Sequence, residues 1–224
     1  MEAWHKRIEI VWLGLMIATM PAGAVSDFAL AAHWAPVIRQ DTDDTNYRAE
    51  YITRFDYDGN FRGNDNWDHL DDYPLNAYLY YSVVETPTHY FIMYGDFHPR
   101  DWEDVCFLWL CHENDMEGLQ LCIEKDGSTY GALLTMETEA HGQIYQYASD
   151  PRVGGGHESI DGPIRTESHR PVAMVEAKGH GVYGWDGDGF PGGDGVVYRY
   201  TGYAEQPSSG SDPDVGYALL SLID

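Results

Sequence analysis

Past its first 25 residues the chain has no long window with a sustained apolar 3.6-residue period, which limits its folding options more than any other feature. An amphipathic helix needs that stripe, so little helix is expected. What the chain offers instead are short apolar and aromatic runs. They are Tyr78 to Val84, His89 to Tyr94, Leu119 to Ile123, Gly131 to Met136, Gln143 to Tyr147, Ala173 to Glu176 and Val196 to Tyr200. Gly, Asp and Pro clusters separate them, and 17 Tyr with 24 Gly suit strands joined by tight turns. The predicted fold is all-β, a single antiparallel β-sandwich with long Gly/Asp-rich loops over residues 26–224.

Ala35 to Ile38 reads as a first edge strand and Tyr51 to Phe55 as a short strand. Val153 to Glu167 reads as a surface loop, and Trp185 to Gly195 as a flexible rim loop. The apolar run Val215 to Ile223 allows a short helix begun by Asp212-Pro213, or a strand. The chain stops one residue later, so this is either the final core element or a truncated reading frame.

Residues 1–25 read as a secretory signal. Lys6 and Arg7 supply the positive start, Ile8 to Met20 the apolar stretch and Ala22-Gly23-Ala24 the cleavage site. The run is too short for a confident membrane span, so the mature chain is expected to be secreted or periplasmic, with no transmembrane segment. In an oxidising compartment Cys106 and Cys111 could close the loop carrying Trp109, leaving Cys122 as a thiol. The formal charge of −24, from 13 basic against 37 acidic residues, repels nucleic acid and draws in cations.

One segment carries chemistry. In His112-Glu113-Asn114-Asp115-Met116-Glu117-Gly118 a strand would project Asp115 and Glu117 from the same side, with His112 able to swing over it. Two carboxylates and an imidazole on one patch call for a positive charge between them, or else form an ordinary solvated face. Hard oxygen ligands suit Ca²⁺ or Mg²⁺, and the imidazole tilts the choice toward Mn²⁺ or Zn²⁺. Upstream, an aromatic strand from Tyr90 runs into a turn at Pro99, and a loop can close Asp101 onto His112. Asp56, Asp58 and Asn60 open a second oxygen-rich loop, but Phe61 and Trp67 stand where an EF-hand needs Gly and Glu. A second Ca²⁺ site and a plain Asx-turn cluster both fit it.

The pattern Ile92-Met93-Tyr94, Pro99-Arg100-Asp101, His112 to Gly118 resembles the core of the necrosis- and ethylene-inducing-peptide-like proteins (NLPs). It also resembles the related segment of the vacuolar-protein-sorting-like β-sandwich proteins. The resemblance covers roughly Tyr90 to His180. It implies a divalent cation held by Asp101, His112, Asp115 and Glu117, with a late histidine, His180, added after the Pro171-Val172 strand. His141, in Ala140-His141-Gly142, competes for that last place. The chain departs from the family pattern at Cys111, Asn114 and Met116, so the family's plant-cell-killing activity is not carried over.

Three functions fit these readings. The first is a secreted, cation-dependent protein recognising a glycan or glycolipid, with Trp67, Trp102 and Trp185 stacking on sugar faces. The second is a metal-dependent hydrolase using His180, His141 or Glu113 to move a proton. The third is a purely structural cation pinning the Asp101 to His112 loop. No Gly-x-Ser-x-Gly, His-Glu-x-x-His or phosphate-loop motif supports a named hydrolase class.

Overall fold

The computed structural model of the chain describes residues 25–43, 45–107, 111–150, 152 and 159–223. The expected secretory segment lies, but for Val25, outside the described residues, as does Trp109. Ser26 caps helix α1 (Asp27–Trp34) by accepting a hydrogen bond from the Ala29 N–H, and the helix buries Leu30, Ala31 and Trp34. Ala35, extended ahead of Pro36, ends it. Tyr94 and Tyr217 hold it in place by donating to the carbonyls of Ala31 and Pro36.

Strand β1 (Val37–Asp41) follows, and then the four-residue helix α2 (Asn66–His69). Next comes a meander of β2 (Tyr78–Glu85), β3 (His89–Asp101), β4 (His112–Glu124), β5 (Ala132–Ala140) and β6 (Gln143–Ala148). The remaining strands are β7 (Gly162–Pro163), β8 (Thr166–Glu167), β9 (Arg170–Val175), β10 (Val182–Gly184), β11 (Gly195–Tyr200) and β12 (Val215–Ser221). The expected meander is present, antiparallel at each step. So, among the described residues, is the scarcity of helix.

The sandwich and the uniform antiparallel pairing are corrected. One mixed sheet runs β10-β9-β1-β11-β12-β2-β3-β4-β5-β6-β7, with β8 paired to β9. The pairs β9/β1, β11/β12, β12/β2 and β6/β7 are parallel. The sheet curls until β10 lies against β4, β5 and β6, giving a nearly closed, barrel-like shape. A period of two shows that a strand has one apolar face. It does not say whether that face meets a second sheet or the far end of its own.

Four local readings also change. β1 is no edge strand, because β9 and β11 flank it and four of its five residues are buried. Tyr51 to Phe55 forms a single bridge, Thr53 to Phe97. β3 does not turn at Pro99 but runs through it to Asp101. Its pairing with β2 ends at Asp96, so a residue without an N–H is tolerated at Pro99. Within the expected 153–167 loop lie β7 and β8. The tail is strand β12, seated between β11 and β2. The core gathers Leu79, Ile92, Leu121, Ile123, Met136, Tyr198 and Tyr217, all at most 1% exposed. Each such side chain contributes roughly 1.5–3 kcal/mol.

Candidate metal centre

The β3/β4 register builds the site. It pairs Asp101 with His112 and His98 with Asp115 at the open end of the hairpin. Alternation turns Asp115, Leu119, Leu121 and Ile123 inward, while Met116 stays outside. Asp101, His112 and Asp115 each offer a ligand atom, and these atoms lie within 4.8 Å of one another. His112 is the exposed member, its Nε2 at 3.3 Å from Asp101 Oδ2. Burial, followed by the nearby Asp115 charge, raises the Asp101 pKa from its ordinary value, against the pull of His112. Carboxylates crowded in this way favour a cation among them.

Behind Asp115 stands a buried relay. Asp115 Oδ2 is 3.0 Å from His180 Nδ1, and His180 Nε2 is 3.1 Å from Glu50 Oε2. Glu50, fully buried, also accepts from Trp102 Nε1 at 3.0 Å and from the Lys178 N–H at 2.8 Å. Burial alone would lower the His180 pKa, but its bonds to Asp115 and Glu50 outweigh burial and raise it to about 9. His98 stacks on it with ring centroids 3.8 Å apart, and its own burial, then the His180 charge, lowers its pKa. His180 has a positive φ of 53°, and a Cβ on the next residue, Gly181, would fall 2.8 Å from Ala140 Cβ. Its backbone is thus wedged against β5.

The expected ligand set is therefore divided. Asp101, His112 and Asp115 meet. His180, rather than His141, adjoins Asp115, but both its nitrogens face carboxylates. His141 pairs with Glu176. Glu117 is not among the side chains whose ligand atoms gather at the triad; its carboxyl meets Glu139. Burial first, then Glu139 and Asp115, push the Glu117 pKa up to about 9, so one proton is shared by that pair. Glu50, His98 and Asp96 carry no motif, and the sequence reading missed them.

The surroundings follow expectation at the cysteines and depart from it at the tryptophans. Cys106 and Cys111 form a disulfide immediately before His112, and Cys122 is free. Trp102 is buried and bonded to Glu50, Trp67 lies under the Arg100 guanidinium at 4.1 Å, and Trp185 packs over Arg39 at 4.6 Å. All three indoles already have partners. In the oxygen-rich loop, Asp56 pairs with Arg54, while Asp58 joins Asp65 and His69 in a second cluster within 4.8 Å. Asp58 is already used there, accepting from the Asn60 backbone N–H and side-chain amide and lying 2.7 Å from His69 Nδ1.

No protein-family model matches the sequence, and no curated protein matches it. Several solved structures are similar in backbone. A non-toxic HaNLP3 protein is 14% identical over 89% of this chain and 76% of its own, with a TM-score of 0.41. NLPPya in complex with glucosamine is 15% identical over 88% and 75%, with a TM-score of 0.45. Necrosis and Ethylene inducing Protein 2, from the causal agent of cocoa's Witches Broom disease, is 12% identical over 88% and 75%, at 0.40. At this level of identity and overlap, no family membership or ligand follows for the chain.

Proposed function

We propose that the chain binds one divalent cation through Asp101, His112 and Asp115 and uses it outside the cell to hold a glycan or glycolipid. The observation that carries this reading is the gathering of three ligand atoms within 4.8 Å at the mouth of the β3/β4 hairpin. Two carboxylates and one imidazole suit Ca²⁺ or Mg²⁺ through their oxygens, and Mn²⁺ or Zn²⁺ through the nitrogen. Three protein ligands, one of them exposed, leave coordination positions facing solvent, where adjacent sugar hydroxyls can enter. His180 acts as a positioning residue, fixing the Asp115 carboxylate from behind as outer partners of metal ligands do. Glu117, the remaining member of the expected set, stands two residues along the same strand. The Cys106–Cys111 disulfide supports an oxidising, extracellular setting.

The hydrolase reading has less support. Of its proton carriers, Glu113 accepts from the Trp67 N–H, His141 pairs with Glu176, and His180 has both nitrogens on carboxylates.

Calorimetric titration with Mn²⁺ tests the cation, and glycan-array binding with and without chelator tests the ligand. A single site lost in both Asp101→Ala and His112→Ala is expected, together with array signals that vanish with chelator. Unchanged Mn²⁺ affinity in those variants would overturn the metal assignment. Chelator-insensitive array binding would overturn the ligand role.

A further inference from the structure

Two arginines far apart in the chain, Arg48 and Arg100, line one cavity of about 200 Å³ beside the turn that follows α2. Arg48 Nη2 donates to the carbonyls of Leu70 and Tyr73, at 2.7 and 3.0 Å. Arg100 Nη2 donates to the Trp67 carbonyl at 2.9 Å, with the Trp67 ring against its plane. The carbonyls of this one turn fix both guanidiniums before any ligand arrives.

What the pair lacks is negative charge. Glu113 stands opposite Arg100 in the β3/β4 register, but its carboxylate accepts from the Trp67 N–H at 3.1 Å. Among the described residues no carboxylate pairs with Arg100, and its Nε is buried without an acceptor. Arg48 pairs with Asp71 at 3.2 Å, but that carboxylate is 84% exposed, so solvent weakens the pair. The chain carries 37 acidic residues against 13 basic ones, yet Asp71 is the sole acid among the residues lining this cavity. A half-buried guanidinium without a counter-charge is costly, and a second one in the same cavity adds repulsion. Charge complementarity therefore calls for an anion from outside.

Guanidinium forks match the oxygens of phosphates and carboxylates in pairs. Two of them balance a dianion, which favours phosphate over a single carboxylate. The volume is below the roughly 300 Å³ at which sites for whole small molecules begin, so a compact charged head fits and a sugar ring does not. We infer that this cavity binds a phosphate group between Arg48 and Arg100, displacing the exposed Asp71 from Arg48.

Nitrogen-edited NMR of the full chain, stripped of metal on a chelating resin, tests the idea with inorganic phosphate at constant ionic strength. The Arg48 and Arg100 Nε–H signals should move saturably with phosphate and stay still with chloride. Arg48→Gln should raise the phosphate midpoint about tenfold, the loss of one charged hydrogen bond. Asp71→Asn, a change at an exposed side chain, should lower it by up to about fivefold, because an exposed ion pair no longer competes. Should Arg48→Gln not fold, Asp71→Asn decides alone. Glycerol phosphate separates the two sources of the group. Tighter binding than inorganic phosphate supports an esterified head group, and weaker binding supports the free ion. Equal shifts with chloride, no saturation, or an Asp71→Asn midpoint that rises or stays put overturns the inference. Because the chain is free of metal, the result does not depend on the cation reading.

Discussion

Two clusters in this molecule hold the same residue types, two aspartates and a histidine, and differ in what stands behind them. At Asp101, His112 and Asp115 the carboxylate nearest the core is held by a buried His180–Glu50 relay, and the side facing solvent is open. At Asp58, Asp65 and His69 the buried carboxylate is spent on its own loop, on two Asn60 donors and the His69 ring. Ligand types within reach of one another are thus not enough. Free lone pairs and a rigid backing separate a candidate cation centre from a cross-braced turn.

The sharpest way to break this comparison is to remove one aspartate from each cluster. Asp115→Ala should abolish Mn²⁺ binding and destabilise the fold by about 3–5 kcal/mol, because it leaves the buried His180 without one of its charge partners. Denaturant unfolding measures the stability change; a loss below about 1 kcal/mol, the range of ordinary surface changes, would show that the relay is incidental.

Next in size is the relay itself. Glu50→Gln keeps the shape but weakens the hold on His180, and should reduce Mn²⁺ affinity by roughly 10–100-fold, as outer-partner substitutions do. Unchanged affinity in calorimetry would mean that Asp115 needs no backing.

A pH series sharpens the contrast further. His180 titrates near 9 in the folded protein against 6.5 in the unfolded chain. Its stabilisation is complete below pH 6.5 and is lost as pH rises toward 9. Glu117, at about 9 against 4.5, acts in the same direction, since the folded state keeps a proton that the unfolded chain releases. Denaturation midpoints should therefore fall from pH 6.5 to 9. His69 is shifted the same way by its bond to Asp58, but it is half-exposed and solvent weakens its share, so a decline that disappears in His69→Gln would reverse the roles of the two clusters.

The smallest effect belongs to Asp65→Ala. Its Oδ2 reaches only Asn60 Nδ2, at 3.5 Å, so the stability loss should be under about 1 kcal/mol and Mn²⁺ affinity should not move. A second Mn²⁺ site lost in this variant would make the two clusters equals.

That Asp101, His112 and Asp115 would meet was legible because they are close in sequence. Asp101 and His112 terminate two strands of one hairpin, and Asp115 lies on the second of them, so local pairing brings all three to one end. The disulfide was legible for the same reason. Glu117 stands apart from the triad because alternation gives the side of a strand but not a rotamer, and the contact with Glu139 on β5 draws its carboxyl away. The surroundings of Trp67 and Trp185 were not legible, because nothing local shows that Arg100 and Arg39 would cover them.

By itself the sequence determined a β protein with an antiparallel meander and a cation-capable hairpin end, since period, turn chemistry and motif spacing act over a few residues. Only the tertiary structure decided that the sheet curls nearly closed, that four of its strand pairs are parallel, and that Glu50 stands behind His180 and Asp115 to complete the relay. Those outcomes depend on burial of the whole curled face and on contacts between residues far apart in the chain, and no local pattern records them.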